Sequence, residues 1–280
     1  MAISCLFGIP TIVRMSLRAA SLNAWLIADP TEKVQAVQAL WATHTQMVVL
    51  PSEHLELPIG IEVPGHPPLP RLIPAKQVPT RTPFTAEGLA SLIHAVCHIE
   101  FNAINLALDA VWRFNDMPHA YYTDWLSVAN EESQHFDLLH THLKSLGYSY
   151  GDFDAHDGLW QMCERTSQDV LTRMALVPRT LEARGLDATP LIQTKLRKVA
   201  TPAATRSVEI LDIILRDEVG HVAIGNHWYR WLCEQQGLDP VTLYGELVQR
   251  YDAPRLKPPF NHEARLLAGF TEVELSYLLG

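Results

Sequence analysis

A carboxylate and an imidazole interrupt the apolar segment ILRDEVGHVAIG at residues 214–225. On a helix that turns by about 100° per residue, Glu218 and His221 lie on the same face. Their neighbours on that face are mostly aliphatic: Leu211, Ile214, Leu215, Val222 and Gly225. A buried carboxylate is costly unless a proton, a cation or a metal ion neutralises it. The segment therefore predicts a buried helix whose acid has a partner elsewhere in the chain.

The same Glu-x-x-His spacing occurs in ANEESQHFDLL, where Glu132 and His135 share an apolar helical face. The preceding Glu131 lies on a polar face, and we expect it to point to solvent. In HIEFNAINLALDAV, Glu100 is the acid on a third apolar face. Its neighbours there are Ile93, Val96, Cys97, Ala103, Ile104 and Ala107. Three helices thus carry one buried acid each.

Hydrophobic periodicity predicts an all-α fold. The expected helices cover about 15–28, 31–46, 86–114, 119–146, 159–184 and 204–236, with a short piece near 190–200. Asp29 and Pro30 separate the first two, Gly237 closes the last, and Gly185 and Pro190 interrupt the third long helix. Nine of the 19 prolines lie in 51–83, which predicts an extended strap. The pattern indicates an N-terminal helical segment and strap at 1–84, a four-helix bundle at 85–237 and a helical C-terminal extension at 238–280.

The turn positions predict which acids meet inside the bundle. In an antiparallel hairpin, residues equidistant from the turn lie at the same height. Glu100 and Glu132 are equidistant from the NDMP turn, and reflecting Glu218 through the ATPA turn near residue 200 gives Glu182. Asp169 and Glu164 are alternatives to Glu182 as the fourth acid. Pairing either of them with Glu218 would centre the hairpin on a segment where no turn is signalled.

Four carboxylates and two imidazoles at one depth predict a site for two metal ions. The expected ligands are Glu100, Glu132, His135, Glu182, Glu218 and His221. Oxygen-rich ligation with one imidazole per ion favours iron or manganese over zinc. The alternative is a network of buried Glu and His without metal, which is hard to neutralise. Pro178 and Arg179 share the Glu182 face, which is therefore less apolar than the other three.

These segments, together with PRTLEARGLDATP and APRLKPPFNHEARLLAGF, resemble the ferritin-like di-iron carboxylate superfamily. Within it they are similar to a bacterial branch related to the non-haem di-iron hydroxylases of transfer RNA. The resemblance implies a ferritin-like bundle and two iron ions, or an iron–manganese pair, held by the six residues above. It also implies dioxygen as co-substrate, an electron donor, and a hydrogen bond that Asp217 accepts from a metal-binding histidine.

The expected function is an oxygen-dependent di-iron oxidoreductase that resembles a monooxygenase. Its substrate is expected to be organic, and a modified nucleoside of transfer RNA is the most specific version. Two alternatives remain open: a ferroxidase or iron-handling protein, and a metal-binding module without turnover. Because the strap and the C-terminal extension enlarge the chain, a monomer or small homo-oligomer is expected rather than a ferritin cage.

A basic cluster stands out in a chain whose net charge is −9. It contains Arg173, Arg179, Arg184, Lys195, Arg197, Lys198 and Arg206. One interpretation is an ordinary solvated helix end. The other is a docking patch for a phosphate-bearing substrate, formed by Arg179, Arg184, Arg197 and Lys198.

The remaining chemistry-bearing residues predict structural roles. His94 and His98 are expected to face outwards, and Tyr121, Tyr122 and Tyr229 to be buried or interfacial. The cysteines are Cys5, Cys97, Cys163 and Cys233, and their wide spacing favours free thiols in a reducing compartment. The apolar N-terminal segment is interrupted by Pro10 and Arg14, so no signal peptide is expected. No stretch of the chain is expected to be long enough to span a membrane, and the location is predicted to be cytoplasmic.

Overall fold

The computed structural model describes residues 15–60, 63–254 and 256–279, and within these ranges the fold is all-α, as predicted. The first two helices of the described residues are α1 (Leu17–Trp25) and α2 (Pro30–Thr43). The central helices are α3 (Ala86–Arg113), α4 (His119–Ser145), α5 (Gly158–Arg165), α6 (Val170–Leu176), a π-helix (Val177–Glu182), α7 (Ala183–Val199) and α8 (Pro202–Gln236). The chain continues with α9 (Pro240–Arg250), α10 (His262–Leu267) and α11 (Glu272–Leu279). The expectations for Cys5 and the N-terminal segment fall outside the described residues.

The bundle is formed by α3, α4, α8 and a composite third helix made of α6, the π-helix and α7. The pairs α3–α4 and α7–α8 form the two hairpins, and α4 packs on α8 between them. Helices α1 and α2 cover the outer side of α3 and α4. The bundle architecture is confirmed, while its relationship to ferritins stays a prediction.

Helix α3 is the core helix of the bundle. By length and composition it could cross a membrane, contrary to the expectation that no segment is long enough. However, 78% of its most apolar 18-residue window is buried inside the protein. Its hydrophobicity is therefore explained by packing against the other helices, and the cytoplasmic location stays a prediction.

Local capping explains where the long helices begin and end. The Asp29 side chain accepts hydrogen bonds from the backbone N–H groups of Thr31 and Glu32, and Pro30 occupies the first helical position. Thr201 caps α8 in the same way, and Gly237 ends it in the left-handed conformation at φ 64°. These boundaries agree with the predicted ones.

The third helix differs most from the prediction of one helix over 159–184. A break at residues 166–169 separates α5 from α6, and Asp169 caps the restarted helix by accepting from the Leu171 N–H. Instead of ending near Gly185, helix α7 continues through Gly185 and Pro190 to Val199. Proline lacks an N–H, which leaves the carbonyl of Leu186 without its helical donor. The side chain of Asn261 donates to that carbonyl at 3.1 Å, so the extension replaces the missing hydrogen bond.

In its described residues, 51–60 and 63–83, the Pro-rich strap crosses the outer face of the bundle in extended conformation, as predicted, and includes a short 3₁₀ turn at Ala75–Gln77. Backbone contacts at several points attach it to the rest of the protein, among them Asp116 N–H donating to Pro51 O. Gly65 N–H donates to Trp25 O, and the segment around Leu72 pairs with Ala155 of the loop that links α4 to α5. The strap is therefore a covering element for the surface of α3.

Candidate metal centre

Five of the six predicted ligands come together in two overlapping groups of three. One group is Glu100, Glu132 and His135, and the other is Glu132, Glu218 and His221. Within each group the potential ligand atoms lie within 4.8 Å of one another, and every residue is buried. Three helices supply them, because the i, i+3 spacing places both members of each Glu-x-x-His pair on the inner face of α4 or α8.

Glu132 belongs to both groups and lies between the two imidazoles. Its Oε2 is 3.3 Å from Nδ1 of His135, and its Oε1 is 2.9 Å from Nδ1 of His221. Glu100 Oε2 approaches the first imidazole at 3.5 Å, and Glu218 Oε2 approaches the second at 3.8 Å. The two groups thus share the carboxylate of Glu132, and each combines it with one imidazole and one further acid.

Several buried atoms in this cluster make no well-aligned hydrogen bond with the residues that the structure describes, although His221 Nδ1 lies 2.9 Å from Glu132 Oε1 and His135 Nδ1 lies 3.5 Å from Glu100 Oε2. They are Glu100 Oε2, Glu132 Oε1, Glu182 Oε2, Glu218 Oε2 and His221 Nδ1. Once deprotonated, all five are lone-pair donors of the kind that binds metal ions, and buried polar atoms without a well-aligned partner are rare in folded proteins. The donor set therefore fits a pair of divalent cations.

Two outer acids orient the imidazoles. Asp217 Oδ2 lies 3.1 Å from His135 Nε2, which is the type of contact that the resemblance implies. Glu131 Oε2 lies 2.8 Å from His221 Nε2. A carboxylate beside Nε2 favours a proton on that nitrogen, so that Nδ1 is the nitrogen that would offer its lone pair to a metal ion.

The expectation that Glu131 points to solvent misses a contact that its carboxylate makes with the cluster. Its side chain is 44% exposed, yet its carboxylate crosses from α4 to the imidazole of α8. Asp217 makes the reciprocal crossing from α8 to α4. The sequence does contain a signal for this contact of Glu131. Glu131 and Asp217 each directly precede the Glu of a Glu-x-x-His pair.

Burial and mutual repulsion act on the carboxylates of the cluster. Burial raises the pKa of Glu100, Glu182 and Glu218 above its usual range. The charge of Glu132 raises the pKa of Glu100 and Glu218 further, whereas for Glu182 the largest charge contribution comes from Glu218. The acids therefore need positive charge beside them in order to stay ionised together.

The neighbouring carboxylates favour the protonated form of both imidazoles. Although burial lowers the pKa of His135, its hydrogen bonds with Glu100 and Glu132 raise it to about 11. The pKa of His221 is also raised, because the charge of Glu132 and its neighbours outweighs the effect of burial. Without a metal ion, protonated imidazoles supply the positive charge, which metal ions would replace on binding.

Glu182 lies beside Glu218 but belongs to neither group of three. It is the last residue of the π-helix, an irregularity that occurs often at functional sites. The π-helix packs closely on α8 at Gly225, where an added Cβ would lie 2.5 Å from the Pro178 side chain. Hairpin symmetry thus predicts the neighbourhood of Glu182, while the π-helix sets its final position.

His94 and His98 are buried, contrary to the expectation that they face outwards. The loop after α4 covers both of them: Gly151 N–H donates to His94 Nε2, and Tyr150 lies 2.8 Å from His98 Nδ1. Burial lowers the pKa of each imidazole to about 4, so both are neutral at pH 7. They lie outside both groups of clustered residues. Burial of Tyr121, Tyr122 and Tyr229 is confirmed.

The structure divides the basic cluster into buried and exposed members. Arg179 is only 2% exposed and pairs with Glu274 at 2.7 Å, so its assignment to a docking patch is wrong. Arg173 is also buried and pairs with Asp109. The exposed members are Arg184, Lys195, Arg197, Lys198 and Arg206.

Comparison with known proteins places the chain in a family. The family model described as "Protein of unknown function (DUF455)" matches residues 26–276. The chain belongs to this family. An uncharacterized protein of Haemophilus influenzae is 48% identical over 261 residues, which cover 90% of this chain and 89% of that relative. No solved structure matches the chain. All six predicted ligands and both outer acids lie within the span matched by the DUF455 model.

Proposed function

We propose that the protein is a non-haem di-iron oxidoreductase that uses dioxygen to hydroxylate an organic substrate. The observation that supports this most directly is the convergence of buried carboxylates and imidazoles on Glu132, where several inward atoms make no well-aligned hydrogen bond. A purely structural network would align these atoms with donors, because each unsatisfied buried group costs about 1–3 kcal/mol.

The donor atoms favour iron or manganese. Each group of three offers one imidazole nitrogen and carboxylate oxygens, without thiolate. In the proposal, Glu100, Glu132 and His135 bind one ion, and Glu132, Glu218 and His221 bind the other. Glu182 adds a carboxylate beside Glu218. A reduced pair of such ions supplies electrons to dioxygen.

The surrounding residues prepare the site for this chemistry. Asp217 and Glu131 fix the proton on the outer nitrogen of each imidazole. Buried aliphatic side chains on the same helices, among them Ile104, Leu211 and Ile214, exclude bulk water from the cluster. Exclusion of water strengthens the electrostatic interactions in the site and protects reactive species from side reactions.

Anaerobic loading with ferrous iron, followed by exposure to dioxygen, tests the proposed function. We expect about two ferrous ions per chain to be oxidised once and to remain bound as a ferric centre with near-ultraviolet absorption. Stopped-flow absorption and iron analysis after gel filtration measure both quantities. Continued oxidation with growth of a mineral would contradict the proposal and indicate iron storage instead. Binding of iron without oxidation would also contradict the proposal and indicate a metal-binding module without turnover.

For the substrate, we propose a nucleoside of transfer RNA, on the basis of the family resemblance and the exposed cations of α7. Arg184, Arg197 and Lys198 are exposed on this helix, and Arg197 has only a distant partner, Asp212 at 3.9 Å. Exposed cations of this kind bind phosphates and release counterions.

The double substitution Arg197→Glu and Lys198→Glu is expected to weaken binding of transfer RNA about tenfold at low salt and to reduce the salt dependence. Fluorescence anisotropy over a range of salt concentrations measures both effects. The double substitution Lys76→Glu and Lys257→Glu is the matched control, since both lysines are also exposed but lie outside the cluster and the change in net charge is the same. Equal weakening by the control, or no binding by the unmodified protein, would exclude transfer RNA as the substrate.

A further inference from the structure

The two groups of candidate ligands are surrounded by different charges. The first group, which contains His135, and the second group, which contains His221, share Glu132. Each imidazole also contacts one outer acid, which is Asp217 for His135 and Glu131 for His221. The ligands of the two groups are therefore of the same kind, and a difference between the groups must come from the residues around them.

Arg216 compensates the outer acid of the first group. Its Nε donates to Asp217 Oδ1 at 2.8 Å, and its Nη2 donates to Asp217 Oδ2 at 3.1 Å. The same Oδ2 lies 3.1 Å from His135 Nε2, so one carboxylate connects the guanidinium to the imidazole. A carboxylate on the outer nitrogen makes a histidine a stronger metal ligand. A positive charge on that carboxylate reduces this effect and repels a cation bound at the imidazole.

The outer acid of the second group lacks such a close partner. The Glu131 carboxylate contacts His221, and no lysine or arginine among the described residues forms an ion pair with it. Arg216 interacts with Glu131 only through charge at longer range. The pKa of Arg216 is raised mainly by Asp217 and less by Glu131. The negative charge of Glu131 is therefore less compensated than that of Asp217.

Glu182 adds a further acid to the second group. Burial raises the pKa of Glu182 most, and among the neighbouring charges Glu218 raises it most, followed by Glu132. His221 lowers this pKa, and the effect of Glu100 is smaller than that of the other three. Glu182 therefore acts mainly on the second group.

These differences all favour a cation at the second group. Apart from the shared Glu132, the first group has two acids and an arginine beside its imidazole, namely Glu100, Asp217 and Arg216. The second group has three acids, namely Glu218, Glu182 and Glu131. A divalent cation is attracted by the additional acid and repelled by the arginine, so both effects act in the same direction.

We propose that the second group binds a divalent cation more tightly than the first group and is filled before it, and that Arg216 weakens the first group through Asp217. Arg216 is a positioning residue, because it contacts Asp217 and neither the imidazole nor the ligand atoms of the cluster. The inference rests on the candidate metal centre of the proposed function, to which it adds an order of loading.

Binding of Mn²⁺ to variants that retain one group tests the order. Carboxylate and imidazole ligands bind this ion, and electron paramagnetic resonance detects it directly. Glu100→Ala leaves the second group intact, and Glu218→Ala leaves the first. In full-length protein freed of metal, each variant is expected to bind one ion, at least about tenfold more tightly in Glu100→Ala than in Glu218→Ala. Glu100→Gln and Glu218→Gln provide the comparison if an alanine variant does not fold.

Substitution of Arg216 tests its role separately. Arg216→Gln is expected to tighten the weaker of the two Mn²⁺-binding steps about fivefold at low salt, and to change the tighter step by less than about twofold. Arg216→Lys keeps the positive charge and is expected to leave both steps within about twofold. Arg206→Gln on α8 is the matched control, because it removes an exposed arginine that pairs with Glu209 rather than with Asp217. Isothermal calorimetry measures both steps, and circular dichroism checks that each variant is folded.

The possible results separate this inference from the proposed function. Equal affinities in Glu100→Ala and Glu218→Ala would overturn the inference and leave a centre for two metal ions in place. An unchanged weaker step in Arg216→Gln, or an equal effect of Arg206→Gln, would overturn the role of Arg216. Absence of Mn²⁺ binding by the unmodified protein would overturn the inference together with the candidate metal centre.

Discussion

Replacing Glu132 by alanine is expected to remove both metal ions, whereas replacing Glu100 or Glu218 removes one. The difference follows from the geometry, because Glu132 lies in both groups of clustered ligands and each of the other two acids lies in one. Mass spectrometry of the metal content after reconstitution with ferrous iron measures the effect. We expect about two ions per chain in the unmodified protein and none in Glu132→Ala.

Several controls make the result specific to the cluster. Glu246→Ala on α9 removes an exposed carboxylate and is expected to leave the metal content unchanged. Glu132→Gln keeps the size of the side chain and guards against a variant that merely fails to fold. Metal binding stabilises the folded state, so added iron should raise the melting temperature of the unmodified protein but not that of either Glu132 variant. Two bound ions in folded Glu132→Gln would contradict the assignment of a bridging ligand.

The parts of the site that the sequence predicts are those that depend on helical periodicity. Glu100, Glu132 and Glu218 each interrupt an otherwise apolar face, which is visible in the sequence because neighbours on a helix are three or four residues apart. Hairpin symmetry then predicts that these faces meet, and the structure brings them together at Glu132. Local capping residues give the helix boundaries for the same reason, since a cap acts over only a few residues.

The parts that the sequence does not predict depend on contacts between distant residues. Helix α7 passes through Pro190 because Asn261, far along the chain, supplies the missing donor. The side chain of Glu131 is long enough to leave its own face and reach His221 on another helix. Arg179 has the sequence appearance of a surface cation, but its partner Glu274 comes from the last helix. Helical periodicity carries no information about such contacts.

Replacing Arg179 by methionine is expected to lower the free energy of unfolding by about 3–5 kcal/mol. The buried guanidinium donates to Glu274 and Asn226 and lies about 5 Å from the ring centres of Tyr229, Tyr244 and Phe270. Its removal leaves the side chains of Glu274 and Asn226 with fewer partners inside the protein. Urea denaturation measures the loss. Arg197→Met is the matched control, because its exposed side chain should contribute less than about 1 kcal/mol.

The effect of Arg179→Met is also expected to depend on pH. Burial tends to raise the pKa of Glu274, but Arg179, the Thr271 backbone and Arg230 lower it below its usual value. A lowered pKa in the folded state stabilises the protein above the unfolded pKa of about 4.3, and this contribution is lost as the pH falls. Without Arg179 the pKa of Glu274 should rise, so the difference in unfolding free energy between the two proteins should shrink below about pH 4. A difference that stays constant between pH 7 and pH 3 would show that the Arg179–Glu274 ion pair does not contribute, and that the loss comes from packing against the three rings.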